Sequence, residues 1–261
     1  MIDLNPNIIL NTKGLTVNFG SFCALDSVDI SIKKGSITGL IGPNGAGKST
    51  LFNALTGTLK PSNGNVFLGG KKITGNSPDK LFVAGLGRTF QTPRPFKKMS
   101  VLENVMLAPM NQLGENIFSP LFNPKQVVSQ ELEIRSRALE ILDFVTLLKL
   151  ADHDAGEISG GQMKLLDLAR ILMGNPSVIL LDEPAAGVNP SLTRILLERI
   201  EELNKQGKTF LIIEHDMDFI MSHCEPIIAL SAGKVVFEGT AKEAQANTIL
   251  LDAYLGVQED E

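Results

Sequence analysis

A glycine-rich stretch near the amino terminus carries the residues with the clearest chemistry. This phosphate loop consists of Gly42, Pro43, Asn44, Gly45, Ala46, Gly47, Lys48, Ser49 and Thr50, and it matches the pattern G-x-x-x-x-G-K-[ST]. Its glycines let the backbone curl around an anion, so that successive N–H groups point at phosphate oxygens. Lys48 is placed to reach the outer phosphates, and the Ser49 hydroxyl is an oxygen ligand suited to Mg²⁺. The phosphate loop therefore predicts a nucleotide site.

A pair of carboxylates follows an apolar run later in the chain. Residues 178–181 are all apolar, which is typical of a parallel strand buried on both faces, and Asp182 and Glu183 come directly after them. Ligands of open α/β folds bind at the carboxyl ends of such strands. We expect Asp182 to hold the magnesium ion through water and Glu183 to be the general base that polarises an attacking water. Together with the phosphate loop, this pair predicts a P-loop hydrolase.

A third motif, the signature segment, consists of Ile158, Ser159, Gly160, Gly161 and Gln162. Ser159 and Gln162 have the spacing of a capping box, so the simplest interpretation is a well-capped helix. The two glycines beside the cap also expose backbone N–H groups, which indicates a second anion site. Since one chain then has two phosphate-binding helix ends, a second subunit is expected to contribute to each nucleotide site.

Strands and helices alternate around these motifs, which predicts an α/β fold. A glycine turn at residues 69–70 is expected to close a hairpin that starts around residues 66–68. The other expected elements are strands at residues 15–19, 28–32, 36–41, 178–182 and 209–214 and helices at residues 48–56, 161–173 and 190–204.

A change of pattern in the middle of the chain predicts the domain organisation. Two loop-like stretches with prolines are followed by a helical pattern over residues 126–150. Its expected face contains Leu132, Arg135, Leu139, Leu142 and Thr146, and Ile141, Val145 and Leu148 widen the apolar stripe. We therefore expect a helical subdomain at residues 92–161 that ends in the signature motif. Residues 1–91 and 162–261 are expected to form a nucleotide-binding α/β core.

Composition and charge exclude other classes. The chain has 261 residues, 43% hydrophobic and 20% charged, which is ordinary for a globular protein and excludes wholesale disorder. Its 24 basic and 29 acidic residues give a net charge of −5, which argues against a nucleic-acid partner because such binding depends on neutralising phosphates. Neither a signal peptide nor an apolar run long enough to cross a bilayer is evident, so we expect an intracellular protein.

The order of these motifs resembles that of the ATP-binding subunit of an ABC transporter. The matching parts are the phosphate loop, Gln91, the signature segment, the run Leu-Leu-Asp-Glu-Pro that ends at Pro184, and His215. The resemblance covers nearly the whole chain. Three shorter segments further resemble the branched-chain amino-acid uptake subfamily, at residues 87–92, 183–190 and 253–256.

The resemblance implies that the core is an ATP-binding, RecA-like α/β core with an antiparallel β subdomain. It also implies several roles that spacing cannot assign. Phe19 has the position of a ring that stacks on adenine, with a strand aromatic in the core as the alternative. Gln91 would contact Mg²⁺ and sense membrane subunits, and His215 would contact the γ-phosphate of ATP and so join Lys48 and Glu183 in catalysis. The resemblance further implies that Ser159, Gly160, Gly161 and Gln162 touch the γ-phosphate held by the opposite subunit.

Two residues depart from the family pattern. Ile158 stands in place of the commoner Leu, a change that conserves volume and is expected to be harmless. Asn189 stands where most of the family has Asp, so hydrogen bonding is kept but the charge is lost. The resemblance therefore does not imply that Asn189 couples the two subunits of a dimer.

As a whole, the resemblance implies an ATPase that powers uptake of branched-chain or similar hydrophobic amino acids through membrane permeases. It implies a second ABC ATPase subunit, identical or different, an indirect partnership with a solute-binding protein, and a position on the inner face of the cell membrane. Urea or amide uptake and a soluble assembly machine, such as one for iron–sulfur clusters, are alternatives. A clamp without hydrolysis and a small-molecule kinase fit less well, since Glu183 and His215 are present and a kinase has no use for the signature helix.

Overall fold

The computed structural model describes residues 5–110, 112–115, 122–247 and 250. The described residues form two compact units. The α/β unit comprises those of Met1–Arg88, Ser177–Pro184 and Leu203–Glu261, and the helical unit comprises those of Thr89–Pro176 and Ala185–Glu202. Residues 253–256, whose pattern resembles the amino-acid uptake subfamily, lie outside the described residues.

Among the described residues, the strands belong to the α/β unit, whereas the long helices lie wholly or mostly in the helical unit. The strands are β1 (Ile8–Phe19), β2 (Phe22–Val28), β3 (Ser31–Lys33), β4 (Ile37–Ile41), β5 (Asn63–Leu68), β6 (Lys71–Lys72), β7 (Leu86–Arg88), β8 (Val178–Asp182), β9 (Thr209–Ile213), β10 (Ile227–Ser231) and β11 (Lys234–Gly239). The α-helices are α1 (Lys48–Leu55), α2 (Pro78–Val83), α3 (Val101–Met106), α4 (Pro124–Phe144), α5 (Gly160–Met173), α6 (Pro190–Lys205), α7 (Met217–His223) and α8 (Ala241–Gln245). Short 3₁₀ turns lie at Leu113–Glu115 and Leu148–Leu150.

A six-stranded sheet positions the predicted chemistry. Its strand order is β11-β10-β4-β9-β8-β7, and every neighbouring pair is parallel except β10 with β11. All residues of β8 and β9 are buried, as expected for continuous apolar runs in a parallel sheet. The carboxyl ends of β4, β8 and β9 lie at one edge, because parallel strands share a direction. The segments that follow these strands contain the phosphate loop, Glu183 and His215.

A second sheet has the order β2-β1-β5-β6, with β3 also paired to β1, and supplies the expected antiparallel part. The hairpin with Gly69 and Gly70 as its turn is confirmed. A single strand at residues 28–32 is wrong, because the chain breaks from its partner between β2 and β3. The Thr12 hydroxyl fills that break: it donates to the Val28 carbonyl (2.8 Å) and accepts from the Ile30 N–H (3.0 Å).

The helical unit contains the helix expected at residues 126–150, but with other bounds and another buried face. The helix, α4, ends at Phe144. Its buried residues are Ile134, Ala138 and Leu142, at i, i+4 and i+8, whereas Leu132 is 63% exposed. The predicted face is therefore wrong for most of its length, because α3 and α5, which pack against α4, select the stripe that is buried.

The observed units differ from the boundaries expected from the sequence. The expected helical subdomain ends at residue 161, whereas the helical unit also includes all of α5 and residues 185–202. The physical reason is packing, since α5 contacts both α3 and α4. No helix among the described residues combines the length and apolarity that crossing a membrane requires.

Candidate functional site

The phosphate loop joins β4 to α1 in a conformation that only glycine allows at its key points. Gly47, which precedes α1, has φ +103°, and a Cβ added there would lie 2.7 Å from the Ala24 carbonyl oxygen. A Cβ on Gly42 would collide with the Leu230 carbonyl oxygen. Among the described residues, no side chain caps the start of α1. Its first-turn N–H groups are therefore suited to bind an anion.

Lys48 is the buried cation of this loop. Its Nζ donates to the carbonyl oxygens of Gly42 (2.6 Å) and Pro43 (3.1 Å). Burial lowers the pKa of Lys48 from its ordinary value, while the carboxylates of Glu183 and Asp182 act in the opposite direction. An ammonium group that has lost water and is bonded mainly to carbonyls is well suited to accept an anionic phosphate oxygen as a stronger partner.

The two carboxylates at the end of β8 have different partners. The Asp182 Oδ2 atom accepts from the Arg88 Nη2 atom at 2.9 Å. The Glu183 Oε1 atom lies 3.0 Å from His215 Nε2, so the structure brings together two residues that are 32 positions apart. The separate partners are consistent with separate roles, one as a metal ligand and one as a base.

Glu183 has an unusual backbone that points to function. Its φ is +48°, in the left-handed region that non-glycine residues adopt only at a cost of about 1–3 kcal/mol. The Glu183 N–H donates to the Ile213 carbonyl at the end of β9 (2.9 Å), which holds this conformation. Such strain is often found at active sites. A carboxylate that shares one oxygen with His215 can orient a water through the other.

The oxygen donors present fit Mg²⁺. The Ser49 hydroxyl and the Asp182 carboxylate are hard oxygen ligands, and Mg²⁺ is usually bound by one or two such protein groups plus phosphates and water. Among the described residues, no group of three or more His, Cys, Asp or Glu could hold a metal ion.

Phe19 lies at the end of β1 in the α/β unit. Its side chain is 51% exposed, so the alternative that it fills the core is wrong. It pairs across the β1–β2 ladder with Phe22, which is 62% exposed. An exposed ring is available to stack on a base. Stacking on adenine stays a prediction.

The signature segment lies in the helical unit, and its capping box is confirmed. The Ser159 hydroxyl accepts from the Gln162 N–H (3.3 Å), and the Gln162 Oε1 atom accepts from the Ser159 N–H (2.8 Å). The two glycines differ. A Cβ on Gly161 would lie 2.7 Å from Leu192 Cδ1, whereas a Cβ on Gly160 would meet nothing within 4 Å. Gly161 therefore serves packing, and Gly160 leaves the helix end open to a ligand.

Gln91 is exposed and also belongs to the helical unit, so the structure does not group it with the α/β unit's residues. The backbone N–H of Phe90, the residue before Gln91, donates to Asp167 Oδ2 at 3.3 Å. Burial raises the pKa of Asp167, while Arg170 and this N–H oppose the rise. Magnesium contact by Gln91 stays a prediction.

Asn189 has a structural role that the sequence analysis did not assign. Its Oδ1 atom accepts from the Leu192 N–H (2.9 Å) and the Ser191 hydroxyl (2.7 Å), so it caps α6. Asparagine performs this as well as aspartate does, which explains why the helix tolerates the loss of charge.

Sequence reasoning missed Arg88 and Asn53. Arg88 was noted only within residues 87–92, which resemble the uptake subfamily. In the structure it bonds to Asp182 and to the Asn53 side chain. The signal that could have found it is a charged residue at the end of a buried strand, since a buried guanidinium requires partners.

Comparisons with known proteins agree with this geometry. The family model described as "ABC transporter" matches residues 25–186. A relative from Methanocaldococcus jannaschii named "Probable branched-chain amino acid transport ATP-binding protein LivG" is 43% identical over 95% of this chain and 97% of its own length. A solved nucleotide-free ATP-binding cassette from an ABC transporter is 42% identical, with TM-score 0.83 over 95% of this chain and 98% of that one.

A dimeric ATP-binding cassette solved in a post-hydrolysis state with ADP and Pi is 29% identical, with TM-score 0.74 over 89% of this chain and 99% of that one. These matches confirm the fold class, a P-loop α/β ATPase with antiparallel and helical parts. They extend over almost the full length of each relative. Since both the family model and a close relative cover most of the sequence, this chain belongs to the ABC transporter family as an ATP-binding cassette.

Proposed function

We propose that this chain is the ATP-hydrolysing subunit of an importer for branched-chain or similar hydrophobic amino acids. The observation that carries the hydrolytic part is the Glu183–His215 pair in the unit that also holds Lys48 and Asp182. The name of the M. jannaschii relative supports the solute class. The same name favours amino-acid transport over urea or amide uptake and over a soluble assembly machine.

Each residue of the α/β unit has a proposed part in hydrolysis. The N–H groups at the start of α1 bind the phosphates, and Lys48 neutralises the charge that develops on them. Ser49 and Asp182 would hold Mg²⁺, which would supply positive charge to the phosphates when bound. Glu183 takes the proton of the attacking water, His215 orients Glu183 and contacts the γ-phosphate, and the β–γ bond breaks to give ADP and phosphate.

The signature segment has no such charged groups, and we propose that it acts on the nucleotide of a second cassette. Ser159, Gly160, Gly161 and Gln162 present a hydroxyl, an amide and a helix amino terminus, which bind an anion but do not activate water. Two cassettes, identical or different, would close over two ATP molecules. Closure requires the γ-phosphate, because only then do the signature contacts form.

The remaining partners follow from transport. The closing and opening of the two cassettes is passed to membrane permease subunits. Gln91 would contact Mg²⁺ and sense those subunits. A solute-binding protein delivers the solute to the permeases. The cassette then lies on the inner face of the cell membrane. Phe19 stacks on the adenine of ATP.

Replacement of the base tests the hydrolytic assignment. In Glu183→Gln the amide cannot take a proton, so phosphate release should fall by at least about a hundredfold while ATP binding is kept. ATP should also drive dimer formation, measured by size-exclusion chromatography. The matched control is Glu238→Gln, an exposed glutamate of β11, which should retain normal turnover. Near-normal hydrolysis by Glu183→Gln would remove this residue from the role of base.

A further inference from the structure

Arg88 lies at the centre of a buried cross-link in the α/β unit. Its guanidinium donates from Nη2 to Asp182 (2.9 Å) and from Nη1 to Asn53 Oδ1 (2.6 Å) and Thr56 Oγ1 (3.3 Å). It also lies over the Phe52 ring, 5.6 Å from the centroid. The side chains of Arg88 and Asp182 are only 10% and 8% exposed. The pair is therefore little screened by solvent, and its geometry is well defined.

The cross-link joins the two elements that present the proposed magnesium ligands. Helix α1 carries Ser49 in its first turn and Asn53 one turn later on the same face. Strand β8 ends at Asp182. One planar guanidinium, on the last residue of β7, thus bonds both to the helix of Ser49 and to the strand of Asp182.

We infer that Arg88 is a positioning residue for the magnesium site. By engaging Asp182 Oδ2, it sets the direction of the other carboxylate oxygen, and by bonding to Asn53 it fixes α1 relative to that carboxylate. Lysine cannot replace it, because an ammonium lacks the fork that reaches two partners in fixed directions. The inference rests on the proposed roles of Ser49 and Asp182 as magnesium ligands.

Orientation and charge predict opposite results when Arg88 is changed. A cation 2.9 Å from the carboxylate repels Mg²⁺, so on charge alone its removal would strengthen magnesium binding. Without the hydrogen bond from Arg88, however, the Asp182 carboxylate loses the partner that fixes its direction. Arg88→Lys keeps a cation beside Asp182 and removes the fork, so its effect reports orientation rather than charge.

The test measures how much Mg²⁺ increases the affinity of the full chain for ADP. Calorimetric titrations with ADP are made in excess Mg²⁺ and in chelator, for wild type, Arg88→Lys and Asn53→Ala. Arg88→Lys should reduce the magnesium-dependent gain by about tenfold, which is typical when a group that orients a metal ligand is lost. Asn53→Ala should reduce it less, since the Asp182 pair remains. Affinity for ADP in chelator should not change in either variant.

The control is Arg194→Lys, an arginine of α6 whose side chain is 77% exposed. It should keep the wild-type gain. A gain that is unchanged or larger in Arg88→Lys overturns the inference, as does a fall in Tm and in chelator affinity with the gain preserved. If Arg88→Lys does not fold, Asn53→Ala decides, and an undiminished gain in that variant rejects the inference. Absence of any gain in wild type would instead reject the proposed magnesium ligands.

Discussion

The two units of this chain differ in how many charged residues they bury. In the described part of the α/β unit, Lys48, Asp182 and Glu214 are buried charged residues, and the Glu183–His215 pair lies nearby in sequence. The described part of the helical unit buries one charged residue, Asp167, and its signature helix begins with neutral groups. Both units nevertheless contain a helix that starts at a glycine-flanked end suited to an anion.

The difference separates recognition from reaction. Backbone N–H groups and a hydroxyl bind a phosphate but have no pKa suited to proton transfer, whereas carboxylates and histidine can move protons. Burying a charged group is costly unless the group is paired with a partner. The parallel sheet brings such partners together at the carboxyl ends of its strands. A neutral helix end needs only its cap and close packing. We therefore propose that the signature helix senses the phosphate and that the α/β unit carries out the hydrolysis.

The largest expected effect comes from removing the buried lysine of the phosphate loop. Lys48→Ala should lower ATP affinity by about a hundredfold, because a hydrogen bond from a charged donor to phosphate is lost in a partly desolvated loop. Calorimetry or fluorescent-nucleotide binding measures this. Lys60→Ala, at an exposed position just beyond α1, is the matched control and should bind normally. Unchanged affinity in Lys48→Ala would contradict the proposal that the α/β unit binds phosphate through a charged group.

A paired substitution sharpens the description of the helical unit. Gly161→Ala should lower the free energy of unfolding by about 1 kcal/mol, because the new Cβ would lie 2.7 Å from Leu192 and 3.0 Å from Val188, whose side chains must shift to admit it. Gly160→Ala has open space and should be neutral or slightly stabilising, since alanine favours helix. Urea denaturation of both variants provides the comparison. Equal stabilities would show that the Leu192 contact does not require glycine.

The smallest effect concerns the buried acid of the helical unit. Burial raises the folded-state pKa of Asp167, so its contribution to stability is full below the unfolded value of about 3.9 and is lost as the pH rises through the folded value. Asp167→Asn is neutral at every pH. Relative to wild type, its free energy of unfolding should therefore improve as the pH rises from about 4, an effect limited by the Arg170 partner at 3.6 Å. A difference that stays constant with pH would contradict a raised pKa.

Local spacing was enough to predict much of the molecule. The phosphate loop, the capping box of Ser159, the hairpin at Gly69 and Gly70 and the buried strands β8 and β9 all agree with expectation. Each depends on residues within a few positions of one another, where backbone geometry and hydrogen bonding are decided by the sequence itself. The resemblance to ABC cassettes then assigned Phe19, Gln91 and His215, which spacing could not.

Only the tertiary structure decided the rest. Arg88 meets Asn53 and Asp182, residues 35 and 94 positions away, because the β7–β8 register and the place of α1 bring them together. The buried stripe of α4 was likewise chosen by the helices packed against it. A sequence specifies which side chains cannot stay unpaired when buried, but which partner each one meets depends on long-range packing, since many charged residues are chemically eligible.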